Sequence, residues 1–233
     1  MTKKVALVTG VGPGTGSAIV RRFAEGHYEV AMIARSEKRL MQLADETSGT
    51  HAFAADVTDA HQMDEVVGRI THDLGTPEVV IHNAVGGVFG KLQEIDPTAL
   101  ERNFQINVMA LLHLVRRLAP SMIEAGHGVI IASGNTSALR GKANFAGFAP
   151  TKAAQRVLAE SIARELGPKG IHVAYIIIDA VVDLEWTRKL HPDVPDDFFI
   201  QPRDIAAEVW HVAHQPRSAW SFNVELRPFG EHW

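Results

Sequence analysis

The sequence predicts an α/β protein: a doubly wound, seven-stranded parallel sheet with helices on both faces, in a single domain over residues 1–233. Three observations carry this expectation. Short apolar, β-branched runs alternate with longer stretches of helical periodicity from end to end, the form a parallel sheet takes when crossover helices cover it. A glycine-rich turn stands directly between the first such run and the first helical stretch. The chain has 233 residues, 46% of them hydrophobic and 21% charged, enough for one well-packed core.

The strands are expected at KVALVT (4–9), YEVAMIA (28–34), THAFAA (50–55), EVVIHN (78–83), GVIIAS (128–133), IHVAYIII (171–178) and SFNVEL (221–226). Most are nearly continuous in apolar residues, as a strand covered on both faces requires. Helices are expected near 14–25, 36–47, 59–74, 97–125, 147–167 and 202–214. Asp96-Pro97 makes a good start for the fourth, since aspartate caps free amides and proline fits the first helical position. Leu100, Phe104, Val108, Leu111 and Val115 then form its buried stripe. The segment 179–201 is rich in Pro and Asp and reads as one long irregular piece. It follows a strand end, where open α/β sheets bind ligands, so it is a candidate lid; an ordinary surface loop is the alternative.

The charge balance excludes some partners. With 23 basic and 27 acidic residues, a net charge of −4 and no basic run, the chain lacks the electrostatic footprint of a nucleic-acid binder. A small-molecule substrate is expected instead. The opening MTKKVALVTG has neither a long apolar core nor a cleavage pattern, so no leader and no membrane span are expected, and a cytoplasmic location follows. The absence of cysteine excludes disulfides, zinc-thiolate sites and thiol catalysis. Twelve histidines are scattered; His211 and His214 share a helix face without a third ligand, so they read as a surface pair and no metal is expected.

Gly10, Gly12, Gly14 and Gly16 lie between the first strand and first helix, where glycines let a backbone approach a pyrophosphate at a helix N-terminus. Their spacing, from Thr9, is T-G-x-x-x-G-x-G rather than G-x-G-x-x-G. At the end of the second strand, a carboxylate would accept bonds from ribose hydroxyls. Ala34, Arg35 and Ser36 stand there instead, and a guanidinium fork matches phosphate oxygens. NADP(H) is therefore expected over NAD(H), with a solvated arginine the alternative.

With TGVGPGTG go ADV at 55–57, HNA at 82–84, Asn107 and Lys152, in order and over nearly the whole chain. In these the chain resembles the short-chain dehydrogenase/reductase family, with its Rossmann-type fold. The resemblance implies that Asp56 bonds the adenine amino group, Val57 offers its backbone to the ring, and Asn83 and Ala84 pass the ribose. Asp56 as a helix cap is the alternative. It also implies a catalytic set of serine, tyrosine, lysine and asparagine. The tyrosine protonates the alkoxide, the lysine holds the nicotinamide ribose, and the asparagine supports a water chain to the lysine.

Only Asn107 and Lys152 match that set. The serine position carries Asn135, which still donates a hydrogen bond, and the tyrosine position carries Phe148, which has no proton to give. The two tyrosines, Tyr28 and Tyr175, lie in expected strands. Ser133, Thr136, Ser137, Thr151 or Lys152 through water are the substitutes at hand. Asp179-Ala180 replaces the family's Pro-Gly beside the nicotinamide, as a relay or as a turn cap. His82 replaces its first asparagine after the fourth strand. The expectation is an NADP(H)-dependent oxidoreductase acting on a small carbonyl or activated alkene through a modified site. A nucleotide-binding sensor or subunit without catalysis is the alternative. The resemblance further implies a dimer or tetramer built on the helices near 97–125 and 147–167.

Overall fold

The computed structural model describes residues 4–230, so the first and last three residues of the expected domain lie outside the described residues. Seven parallel strands form the main sheet: β1 (Lys4–Thr9), β2 (Tyr28–Ala34), β3 (Thr50–Ala54), β4 (Val79–His82), β5 (Gly128–Asn135), β6 (Ile171–Ile178) and β9 (Asn223–Leu226). Their order is β3-β2-β1-β4-β5-β6-β9. Parallel neighbours need crossovers, and helices supply them. Alternate strand residues feed two cores. Ala6 and Val8 pack with Ile19 and Phe23 of α1 (Thr15–Glu25), Leu40 of α2 (Glu37–Glu46) and Val209 of α8 (Pro202–Ala213). Leu7 points the other way, into the core shared by Val67 of α3 (Ala60–Asp73), Leu111 of α5 (Ala110–Ala125) and Ala159 of α6 (Ala149–Leu166). The winding reverses between β1 and β4, and there the carboxyl ends of the strands leave a crevice.

The stretch 97–125 is not one α-helix. Asp96 caps α4 (Pro97–Phe104) as expected, accepting from the Thr98 amide at 2.9 Å, but Gln105–Met109 then forms a π-helical turn ahead of α5. The wider turn rotates the inward face, so Asn103 and Asn107 are buried while Leu100, Phe104 and Val108 are half-buried. The expected stripe holds only from Leu111 onward. By length and composition Pro97–Ala125 is apolar enough to cross a membrane, yet Leu111, Leu114, Leu118 and Met122 are packed into the sheet's core.

The segment 179–201 is not structureless either. β7 (Val181–Val182) pairs with β8 (Phe199–Ile200) as a small parallel ribbon, and α7 (Glu185–Leu190) lies between them. Two of its aspartates face one cation. Arg188 gives Nε and Nη2 to Asp183 at 2.5 and 2.9 Å and Nη1 to Asp196 at 2.6 Å, and its guanidinium lies 4.8 Å from the Phe199 ring. At the opposite end of the sheet, His214 of the expected surface pair bonds Tyr28 Oη at 3.2 Å and the Trp210 carbonyl at 2.7 Å. It serves the packing of α8.

Candidate active site

The crevice is a cleft of about 700 Å³. It gathers Gly10, Gly12, Gly14, Gly16, Ala34, Arg35, Ser36, Asp56, Val57, Asn83 and Ala84 from four separate loops. Two expected cofactor residues stand outside its lining. Thr9 turns its hydroxyl to His82 Nδ1 at 3.0 Å, pinning β1 to β4, and Lys152 is buried on α6. Gly10 has φ 71°, and a Cβ there would lie 2.4 Å from the Ala84 backbone, so only glycine fits. The Asn83 amide donates to the Gly10 carbonyl at 3.0 Å and braces the loop from the β4 side. No side chain caps the start of α1, and although the Ser17 amide is taken by the Gly12 carbonyl at 3.1 Å, a helix N-terminus of this kind suits an anion.

At the adenine end, Asp56 accepts from the Thr58 amide and hydroxyl at 3.0 and 2.8 Å. Burial works to raise its pKa, but the Thr58 bonds and then the Arg102 and Arg35 charges outweigh it and hold the carboxylate below its ordinary range. Asp56 thus shapes its own turn as well as facing the cleft. Arg39, absent from the sequence reading, joins Arg35 and Ser36 on the cleft wall. The signal was the spacing RSEKR, which puts the two arginines four residues apart where α2 begins. Leu184 and Trp186 reach the cleft from the lid side, Leu184 packing directly over Gly14. Both fall in the segment 179–201 expected as a candidate lid, although the two residues themselves were not singled out.

The chemical end departs further from the expectation. Phe148 occupies the residue before α6, and Pro150 falls within the helix's first two positions, where a missing amide costs nothing. The Phe148 ring is buried against Gly87 and stands 5.0 Å from Phe89. Lys152 does not face the cleft. Its Nζ donates to the Ser133 carbonyl at 2.9 Å and to Gln155 Oε1 at 2.8 Å, and burial pushes its pKa down to about 7.

Asn107 lies within the π turn. Its side chain grips Gly86 through both amide and carbonyl and donates to Thr151 Oγ1 at 2.8 Å. Its backbone carbonyl accepts from Gln155 Nε2 at 2.8 Å. Gln155 therefore bridges asparagine and lysine directly, where the family resemblance implies water. The sequence reading missed it, although a glutamine three residues after a lysine shares its helix face.

Three of the substitutes for the missing hydroxyl, Thr136, Thr151 and Lys152, are engaged. Thr151 Oγ1 donates to the Phe148 carbonyl at 2.8 Å, and Thr136 Oγ1 donates to Asp179 at 3.0 Å. The Ser137 amide donates to Asn135 Oδ1 at 3.1 Å, which leaves Asn135 its Nδ2 protons for a ligand. Ser133 Oγ is buried without a partner among the described residues. Tyr175 Oη is buried on Gln155 Oε1, and His82 is held between Thr9 and the Ile106 carbonyl, its pKa lowered to about 4 by burial and by Lys152.

The chain is similar in sequence and fold to known proteins. The short chain dehydrogenase family model matches residues 4–193. An uncharacterized oxidoreductase of Staphylococcus aureus strain USA300 is 26% identical over 230 residues, 98% of either chain. A metagenomic short-chain oxidoreductase in complex with NADP superposes with a TM-score of 0.84 at 26% identity, covering 97% of both chains. The fold is shared, at a TM-score of 0.88, 24% identity and 97% coverage of both chains, with 3-ketoacyl-(acyl-carrier-protein) reductase from Brucella melitensis complexed with NADH. With its cleft, glycine loop and sheet order, the chain belongs to the short chain dehydrogenase family, as an oxidoreductase of that type.

Proposed function

We propose that this chain is an NADP(H)-dependent oxidoreductase that transfers hydride to or from a small carbonyl or activated-alkene substrate through a modified active site. The observation that carries the cofactor choice is the pairing of Arg35 and Arg39 beside Ser36 on the cleft wall, with no carboxylate at the end of β2. Two guanidinium groups and a helix N-terminus favour a 2′-phosphate over bare ribose hydroxyls. Bound, the dinucleotide supplies or accepts the hydride. The chain's own residues hold it: the glycine loop takes the pyrophosphate, Asp56 the adenine, and Leu184 with Trp186 excludes water from the lid side. Asn135 offers a hydrogen-bond donor to a substrate, and Phe148 offers packing only. An activated alkene can take its proton from water, so the missing hydroxyl does not forbid turnover. Assembly into a dimer or tetramer through α5 and α6, and a cytoplasmic location, belong to the same proposal.

Titration calorimetry should give tighter binding of NADP(H) than NAD(H), with Arg35→Ala and Arg39→Ala each costing about tenfold for NADP(H) alone, the scale of one charge-assisted contact. Equal affinities in the wild type end the assignment. NADPH consumption against ketones, aldehydes and enones tests turnover. Binding without any turnover there would instead fit a sensor or subunit. Phe148→Tyr should raise ketone reduction by about 10²–10⁴, the value of one positioned acid.

A further inference from the structure

The carboxyl ends of three neighbouring strands, β4, β5 and β6, carry groups that share one chemistry. After β4, Phe89 packs on Phe145 and Phe148 with ring centroids 5.1 and 5.0 Å apart, and Phe89 is 57% exposed. Phe89 therefore presents the solvent-open ring of this cluster, with Phe148, 5% exposed, packed behind it. β5 ends on Asn135. After β6 stands Asp179, half-buried, with Thr136 Oγ1 on its Oδ1 at 3.0 Å; among the described residues it forms no ion pair. Because β5 lies between β4 and β6, Asn135 ends the strand that separates the Phe89 loop from Asp179, and an aromatic ring with a carboxylate suits a cation.

The proton inventory points the same way. Phe148 has no hydroxyl, and the Thr151 hydroxyl is spent on the Phe148 carbonyl. Tyr175 Oη is committed to Gln155, and Lys152 is tied to Ser133 and Gln155. Gln155 also closes the link to the Asn107 carbonyl. Burial lowers the positive charge on Lys152, which reduces its repulsion of a cationic ligand. A ketone needs an acid for its alkoxide; the tyrosine hydroxyl is missing, Thr136, Thr151, Tyr175 and Lys152 are engaged, and among the described residues here only the Ser133 and Ser137 hydroxyls, weak acids both, are left over.

We infer that the substrate is an iminium ion, held between the Asp179 carboxylate and the Phe89 and Phe148 rings and reduced to an amine. This rests on the reductase reading above. The step balances without an acid. Hydride from the reduced dinucleotide forms a C–H bond at the iminium carbon, the C=N π pair becomes the nitrogen lone pair, and the dinucleotide is left oxidised. No proton enters the substrate.

Two measurements test it. The first needs no turnover: calorimetric titration of the NADP⁺-loaded protein with dimethyl tetrahydroisoquinolinium, a permanent cation that cannot accept hydride, against neutral tetralone. The cation should bind at least about tenfold tighter, and Asp179→Asn, which keeps the Thr136 bond, should remove that preference. Phe148→Leu should reduce it independently. Equal binding of cation and neutral probe, or a preference that survives Asp179→Asn, overturns the inference. The second measurement follows NADPH oxidation, above the enzyme-free rate, with N-methyl dihydroisoquinolinium, tetralone and a cyclic enone. Iminium turnover at least about 10²-fold faster than tetralone supports the inference. Turnover of tetralone or the enone without the iminium overturns the inference and leaves the reductase reading standing. No turnover of any of the three overturns both.

Discussion

Lys152 illustrates how a residue can keep its place in the sequence while its surroundings change its chemistry. It stands four residues after Phe148, as the family spacing requires, but both of its bonds point into the protein. A folded pKa of about 7 against an ordinary 10.5 means that the unfolded chain holds this proton over a pH range in which the folded chain has released it. Stability from this group is therefore absent below pH 7 and grows as pH rises toward 10.5. His82, lowered to about 4, acts with the same sign below pH 6.5. Urea unfolding between pH 7 and 10 should show a rising midpoint in the wild type and a flatter one in Lys152→Met, each pH unit being worth up to about 1.4 kcal/mol. Parallel curves would show that Lys152 keeps its charge. Asn107, Asn135, Phe148 and Lys152 were legible only through the family resemblance, which supplies catalytic positions that residue pattern alone does not mark. Gln155 and Arg39 were not, because their roles depend on which neighbour a helix face meets, and that is settled by tertiary packing rather than local pattern.

At the level of elements, all seven strands of the sheet and its covering helices were readable, since apolar runs and 3.6-residue periodicity record burial directly. Two elements escaped that reading for different reasons. The π turn at Gln105–Met109 adds a residue to the helical repeat, and hydropathy has no signature for it because the rotated face is filled by hydrogen-bonded Asn103 and Asn107. The ribbon and helix within 179–201 were hidden by aspartates that resemble loop composition until Arg188 is seen to gather Asp183 and Asp196. Asp183 is mostly covered, whereas Asp196 is 88% exposed, so the first contact is the stronger. Arg188→Met should speed protease cleavage around residues 191–197 severalfold while changing global stability by less than about 1 kcal/mol. Unchanged cleavage kinetics would show that β7 and β8 hold the segment without the arginine.

For the whole molecule, the core on the α5 and α6 side absorbs much of the apolar surface on which an oligomer was expected. Leu111, Leu114, Val115 and Ala159 are all buried within one chain. What remains outside includes Val157, at 57% exposure, and the charged Arg116 and Arg117 bordering a cavity between α3 and α5. Sedimentation at micromolar concentration should nevertheless give a multiple of 25.4 kDa, and Val157→Glu should shift it toward monomer. A single 25.4 kDa species in the wild type would remove the proposed assembly. The sheet order bears equally on how the chain is made. β1 is central, yet its neighbour β4 is synthesised only at residues 79–82, after β2 and β3 are complete. A nascent chain emerging from the ribosome therefore carries β1, β2 and β3 with one edge of β1 still unpaired, and that edge must be shielded from other chains until residue 82 arrives.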